Sequence, residues 1–325
     1  MRALRLHELG GPEALLIEDL PEPQPIDGEV LVHIAYAALN RRDCFITRGL
    51  YPGIALPVTL GADGSGVRAD TGEVVLIDPM LNWGEKSNVW SEGAQVLGMP
   101  RDGTLADALV IPKENLHPKP PHLTHAEAAA LPLAGLTAYR SLVTRGRASA
   151  GETILVTGVG GGVQSFVLQF AVALGARVIA TSSSDEKLAR AKALGAEYCI
   201  NYRTNPDWYK ELRALPPIDL AVDSAGGEAF ARAIDAVRPG GRVVTYGGTT
   251  PQANIRLFSI FWKHLDILGS SMGSPRDFTE MLAFVSRCGI HPAIDHEFPL
   301  ERSADAFRRL EANEQFGKIV IAVNP

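Results

Sequence analysis

The stretch Thr157-Gly158-Val159-Gly160-Gly161-Gly162-Val163 has the residue types needed to hold a phosphate. Without a Cβ, a glycine backbone makes a tight turn and brings N–H groups up to phosphate oxygens. A glycine run alone is a weak signal, so its flanks matter. Residues 154–157 form a short apolar, β-branched run, which predicts a buried strand. Residues 163–174 carry apolar side chains at helical spacing and stop at Gly175, and 177–181 predict a second strand. Strand, glycine turn, helix and strand place a pyrophosphate on a helix N-terminus. Gly158 opens the turn, and Gly161, Gly162 and Val163 are expected to present N–H groups. Depending on the count, the last small position of the fingerprint falls on Gln164 or Val163, so packing there must accept a side chain.

The end of the second strand bears on which nucleotide is held. NAD sites place a carboxylate there for the ribose 2′-OH. Here the order is Thr181-Ser182-Ser183-Ser184-Asp185-Glu186-Lys187. Hydroxyls at Ser183 and an ammonium at Lys187 suit a 2′-phosphate. Asp185 and Glu186 are expected to charge the first turn of the next helix. The expectation is NADP(H); the alternative is that Lys187 is only a solvated helix residue.

Other chemistries find less support. The 325 residues carry a net charge of −6, which gives no basic surface for nucleic acid. Cys44, Cys199 and Cys288 form no C-x-x-C pair and no disulfide framework, which points to a reducing, cytoplasmic setting. The N-terminus lacks the apolar core of a signal peptide, and no apolar run is long enough for a membrane helix. His117, His122 and His125 lie near one another without a thiolate or carboxylate pattern, as do His291, Asp295 and His296; solvated loop histidines are the plainer reading. Cys44 either lines a cleft or is a structural thiol, the commoner case. No Ser-His-Asp or paired-carboxylate arrangement stands out.

The elements around these residues divide the chain. Residues 1–120 are short alternating runs punctuated by glycine and proline, which predicts a distorted β-barrel. Prolines 118, 120 and 121 form a connector, and Thr124-x-x-Glu127 is a capping box opening an Ala-rich helix. From 151 to 270 strands (154–157, 177–181, 198–201, 218–223, 241–246, 265–269) alternate with helices (162–174, 185–194, 206–214, 228–237), the doubly wound α/β pattern. Ser224 follows the fourth strand, and Tyr246, Gly247 and Gly248 follow the fifth, on the edge that faces a dinucleotide. A helix at 276–287 precedes Gly289, and from Ile290 the chain reads strand, helix, strand. The organisation expected is a barrel domain over 1–120, a nucleotide domain over 121–289, and a segment 290–325 whose last strand need not join the nucleotide sheet.

Several further motifs occur in fixed order: Asn40-Arg41-Arg42-Asp43, Gly49-Leu50-Tyr51-Pro52, Leu60-Gly61-Ala62-Asp63-Gly64-Ser65-Gly66, Leu133-Ala134-Gly135-Leu136-Thr137-Ala138-Tyr139 and Gly317-Lys318-Ile319-Val320. With the glycine turn they resemble the medium-chain dehydrogenase/reductase superfamily over essentially the whole chain. The resemblance implies a GroES-like catalytic barrel completed by the C-terminal segment, a Rossmann domain, and a cofactor cleft between the two. It places Thr137 near the nicotinamide and Ser183, Lys187 and Tyr202 near the adenosine phosphate, with a core role for Tyr202 equally open. It also implies a homodimer through the edge strand in Ile267-Leu268-Gly269-Ser270-Ser271-Met272.

Zinc members of that superfamily carry ligands at the positions of Asn40, Ala62 and Leu133, and four close cysteines in the lobe matching residues 81–97. None of the three is a normal zinc ligand and the lobe has no cysteine, so no metal is expected. Without a Lewis acid, reducing a simple carbonyl loses charge stabilisation worth several kcal/mol. A conjugated acceptor spreads the charge, and hydrogen-bond donors can hold it. The expected activity is NADPH-dependent reduction of a quinone or α,β-unsaturated carbonyl. By resemblance Asn40 donates its amide to the substrate oxygen. Tyr51 is either a second donor or a packed turn residue. Phe45 stands where some quinone reductases have tyrosine. Trp83 and Trp90 form an apolar wall or only pack the lobe. Two other functions stay open: a zinc-free alcohol, carbonyl or enoyl-thioester reductase, and an NADPH-binding protein without turnover.

Overall fold

The structure, a computed structural model, describes residues 1–205 and 207–325. The chain forms two compact units, Met1–Ala134 with Gly273–Pro325, and Gly135–Met272.

In the first unit, Leu15–Asp19, Arg2–Leu6 and Val58–Thr59 form a three-stranded sheet. The larger sheet runs Leu116–Pro118, Val74–Ile77, Asp63–Arg68, Glu29–Ala38, Lys318–Ala322 and Ile294–Pro299, and Ala108–Pro112 also pairs with Glu29–Ala38. The last strand therefore joins the barrel sheet, with Val320 opposite Ala38 and Ala322 opposite Tyr36. Leu6, Val32, Ile34, Leu60, Ile77, Ile319 and Ile321 fill the core. Gly317 permits the entry into this strand: its φ is +90° and a Cβ would lie 2.0 Å from the Ala293 carbonyl oxygen.

The second unit is a six-stranded parallel sheet. Its strands are β1 (Thr153–Val156), β2 (Arg177–Ser182), β3 (Tyr198–Asn201), β4 (Ile218–Asp223), β5 (Val237–Thr245) and β6 (Asp266–Gly269). The spatial order is β3-β2-β1-β4-β5-β6, which is the Rossmann order with its reversal between β1 and β4. Helices occupy Gly162–Ala173, Asp185–Ala193 and Gly227–Ala236. The expected helix at 206–214 starts on Pro206, which lies outside the described residues; Trp208–Glu211 is helical and Leu212–Ala214 continues as a 3₁₀ turn.

The unit boundaries differ from those read in the sequence. Helix His125–Ala130 has the expected Thr124–Glu127 capping box. Its Ala126 and Ala130 pack with Ala38 and Val320 of the barrel unit. Helix Pro275–Cys288, started by a Ser274–Asp277 capping box and stopped by left-handed Gly289, sets Phe278 4.7 Å from the His117 ring. Both helices thus belong to the barrel unit, because their apolar faces meet its strands and connector. Pattern alone does not reveal which sheet an amphipathic helix covers.

Candidate active site

The nucleotide edge lies in the second unit. β1 ends at Val156, and helix Gly162–Ala173 starts from Gly161, whose N-cap position carries no side chain to bond the first-turn N–H groups; the first turn holds no acidic residue. The Gly158 N–H donates to Thr181 Oγ1 (3.1 Å) and the Val159 N–H to the Thr181 carbonyl (2.7 Å). Gly158 therefore shapes the turn, at φ +67°, while Gly161, Gly162 and Val163 open the helix where an anion is favoured. The side chain at the third fingerprint position is accommodated: buried Gln164 donates Nε2–H to the Val222 carbonyl (3.1 Å), tying the helix to β4.

Lys187 reaches this turn. Its N–H is capped by Ser184 Oγ (3.3 Å), and its stem crosses Gly160, where a Cβ would meet Lys187 Cδ at 2.8 Å and Nζ at 3.6 Å. The candidate 2′-phosphate groups share one edge. Half-buried Ser183 follows β2, and Tyr202 follows β3 with its N–H on the Ser182 carbonyl (3.1 Å). Tyr202 is 41% exposed, so it is not a core residue. The carboxylate of Asp185 accepts from Asn201 Nδ2 (2.7 Å).

At the ends of β4 and β5, Ser224 abuts Gly247, and Tyr246 lies half-buried with its phenol against Ser224. Burial raises that phenol's pKa. Gly247 and Gly248 are exposed. Thr137 is buried in helix Pro132–Tyr139. Asp223, which the sequence reading passed over, is fully buried at the end of β4. It accepts from the Gly226 N–H (2.9 Å) and from Thr157 Oγ1, and burial raises its pKa.

The catalytic candidates lie in the barrel unit. Strand Glu29–Ala38 leads to Asn40, the residue before helix Arg41–Thr47. The Asn40 side chain is almost fully buried. Its Nδ2 donates to Asp63 Oδ2 (2.9 Å) and its Oδ1 accepts from Lys318 Nζ (2.7 Å). Lys318 Nζ also meets Asp63 Oδ2 at 2.8 Å, and Asp63 Oδ1 accepts the Leu133 N–H at 2.7 Å. Lys318 is 2% exposed and Asp63 0%. The Asp43 carboxylate accepts the Asn40 backbone N–H (2.8 Å), and burial pushes its pKa up to about 6 against the pull of Arg42. Asp63 and Lys318 appeared in the sequence only as parts of fold motifs. The available signal was a lysine opening the apolar strand Lys318-Ile319-Val320-Ile321-Ala322, since a buried ammonium needs a partner.

Tyr51 is half-buried. Its ring sits under the Arg42 guanidinium, 5.1 Å from centroid to Cζ, and against the barrel core. Trp83 is buried with Nε1 on the Lys86 carbonyl (2.7 Å), so it packs the lobe, while Trp90 is exposed. Cys44 is buried and its pKa is pushed up to about 12, which makes it an inert thiol. His125 meets Ser65, His122 meets the Ile290 carbonyl and His291 meets Glu127.

Zinc does not fit the donor set. Of the three positions matching zinc ligands, Asn40 and Leu133 both bond Asp63, and the cation that Asn40 and Asp63 hold is the chain's own Lys318 ammonium. A divalent ion there would oppose Lys318, with one carboxylate already paired. Among the described residues, no group of three or more His, Cys, Asp or Glu side chains is placed to hold a metal ion. The glycine turn does fit a dinucleotide: Gly161, Gly162 and Val163 would hold the pyrophosphate.

Comparison with known proteins agrees with this architecture. The Alcohol dehydrogenase GroES-like domain family model matches residues 26–121, and the Zinc-binding dehydrogenase model matches 162–287. The chain is 35% identical over 338 residues to the zinc-type alcohol dehydrogenase-like protein YogA of Leptosphaeria maculans, covering 95% of this chain and 94% of that one. It is 27% identical over 329 residues to acryloyl-coenzyme A reductase of Sulfurisphaera tokodaii, covering 96% and 97%. The crystal structure of an NAD-dependent alcohol dehydrogenase superposes with a TM-score of 0.92 at 39% identity, covering 99% of this chain and 100% of that one. By fold, motif order and relatives, this chain belongs to the medium-chain dehydrogenase/reductase superfamily of oxidoreductases.

Proposed function

We propose that the protein is an NADPH-dependent, zinc-independent reductase of quinones or α,β-unsaturated carbonyls. The observation that carries this reading is the Asn40–Asp63–Lys318 cluster. At one position matching a zinc ligand the chain offers the Asn40 amide, a hydrogen-bond donor, and Lys318 sets an ammonium beside it. That chemistry suits an acceptor whose negative charge spreads over a conjugated system. Bound NADPH would supply the hydride. Asn40 then meets the oxygen on which charge collects as the β-carbon is reduced, and solvent returns a proton to the α-carbon. The preference for NADPH rests on Ser183, Lys187 and Tyr202, with the nearby Asp185 carboxylate turned to Asn201.

The same reading makes the protein a homodimer. Among the described residues β6 pairs only with β5, which leaves its other edge open. In the residues that lead into it, helix Leu257–Phe261 and Trp262 expose Leu257, Phe258, Phe261 and Trp262 at 58–72%. A second copy pairing β6 with β6 would cover this apolar surface. The three free thiols suit a reducing, cytoplasmic setting. Following NADPH absorbance with 1,4-naphthoquinone, 2-cyclohexen-1-one and a simple aldehyde, with and without chelator, tests the reading. Chelator-resistant oxidation with the conjugated acceptors supports it, and chelator-sensitive or aldehyde-only oxidation overturns it.

A further inference from the structure

The amide of Asn40 is held from both ends by groups that cannot exchange roles. An ammonium only donates, so Lys318 can bond only the amide oxygen. An ionised carboxylate only accepts, so Asp63 can bond only the amide nitrogen. The Lys318–Asp63 pair therefore fixes one of the two amide orientations. Asp63 takes one of the two Nδ2 hydrogens at 2.9 Å, which leaves the second as the side chain's remaining donor. A cation 2.7 Å from Oδ1 also draws electron density from the amide, which strengthens that donor.

The pair is costly to bury, and such pairs are weak contributors to stability. Lys318 reaches Asn40 across 278 residues, carried by the strand that pairs with the end of Glu29–Ala38. The Leu39 N–H bonds the Ile319 carbonyl at 3.0 Å, so backbone register sets the ammonium beside Asn40. We propose that Lys318, anchored by Asp63, is a positioning residue that fixes and polarises the Asn40 amide so that its remaining N–H meets the developing oxyanion of the substrate. The inference rests on the reading of Asn40 as the oxyanion donor.

The test compares wild type, Asn40→Ala, Lys318→Met and the double variant. Two readouts are used: binding of 4-nitrophenolate as an oxyanion probe, and kcat and KM for NADPH with 2-cyclohexen-1-one. Lys318→Met should weaken phenolate binding and lower kcat by roughly ten- to a hundredfold, the range for losing charge-assisted hydrogen bonding. The NADPH Kd should stay within about twofold, which a general loss of structure would not leave intact. In the Asn40→Ala background, Lys318→Met should change neither readout by more than about twofold, because it acts only through the amide. Lys318→Arg, which keeps charge and donor, should recover part of the loss. If Lys318→Met does not fold, Lys318→Met with Asp63→Asn removes both charges and serves instead.

If Asn40→Ala is harmless in both readouts, or if wild type neither binds the phenolate nor turns over, the Asn40 reading fails and takes this inference with it. If Asn40→Ala is damaging but Lys318→Met is not, or if the two losses multiply, the positioning role alone is refuted.

Discussion

Asp78→Asn should stabilise the protein at alkaline pH and leave it nearly unchanged in acid. Asp78 follows strand Val74–Ile77 and is 2% exposed. Its Oδ1 accepts the Met80 N–H at 2.9 Å, and its backbone is clamped by Asn115. Burial pushes its pKa from the ordinary 3.8 up to about 7, opposed only by the Met80 N–H. The folded protein therefore holds this proton more tightly than the unfolded chain. The stabilisation is complete below pH 3.8 and is lost as the pH rises through 7. At about 1.4 kcal/mol per pKa unit, the rise amounts to ~4 kcal/mol at pH 8.5. The variant keeps an Oδ1 acceptor for Met80 and has no charge to bury. Urea denaturation at pH 3.5, below the ordinary pKa of 3.8, and at pH 8.5 should show the two proteins within ~1 kcal/mol in acid and the variant ahead by several kcal/mol in base. A variant equally or less stable than wild type at pH 8.5 would refute the reasoning, since Asp78 would then be ionised at little cost.

Other perturbations address the site. Lys187→Ala should raise the NADPH Kd about ten- to a hundredfold and leave NADH within about twofold, read by nucleotide fluorescence titration. Gly160→Val should abolish binding of both nucleotides in the same titration, because φ is +133° and a Cβ would collide with the Lys187 stem. Asn40→Ala should lower kcat for 2-cyclohexen-1-one by about 10²–10³-fold, the range for removing an oxyanion donor. Phe258→Glu with Trp262→Glu should convert a dimeric elution mass to that of one subunit in gel filtration with light scattering, and a wild type already at one subunit mass would refute the dimer.

The nucleotide unit was legible in the sequence because its signals are local. The glycine run, the β-branched strands and the helix stop at Gly175 act through neighbouring residues. The six parallel strands fall close to their expected places, with β5 starting earlier than expected, at Val237. The barrel cluster was less legible. Asn40, Asp63 and Lys318 come together through strand pairing across nearly 280 residues, Leu133 joins them from a helix, and nothing in the spacing of Lys318 announces its partner. The allocation of helices His125–Ala130 and Pro275–Cys288 was hidden for a related reason: an apolar helix face does not say which sheet it will cover. Tyr51 shows the same gap, since nothing in its spacing announces the Arg42 guanidinium over its ring.

The most direct test of the account is NADPH oxidation by the purified protein with 2-cyclohexen-1-one, measured before and after exhaustive chelation. The account predicts turnover that chelation leaves unchanged and that falls steeply when NADH replaces NADPH. Activity that chelation abolishes and zinc restores would contradict it, because the Asn40–Asp63–Lys318 cluster has no place for that ion.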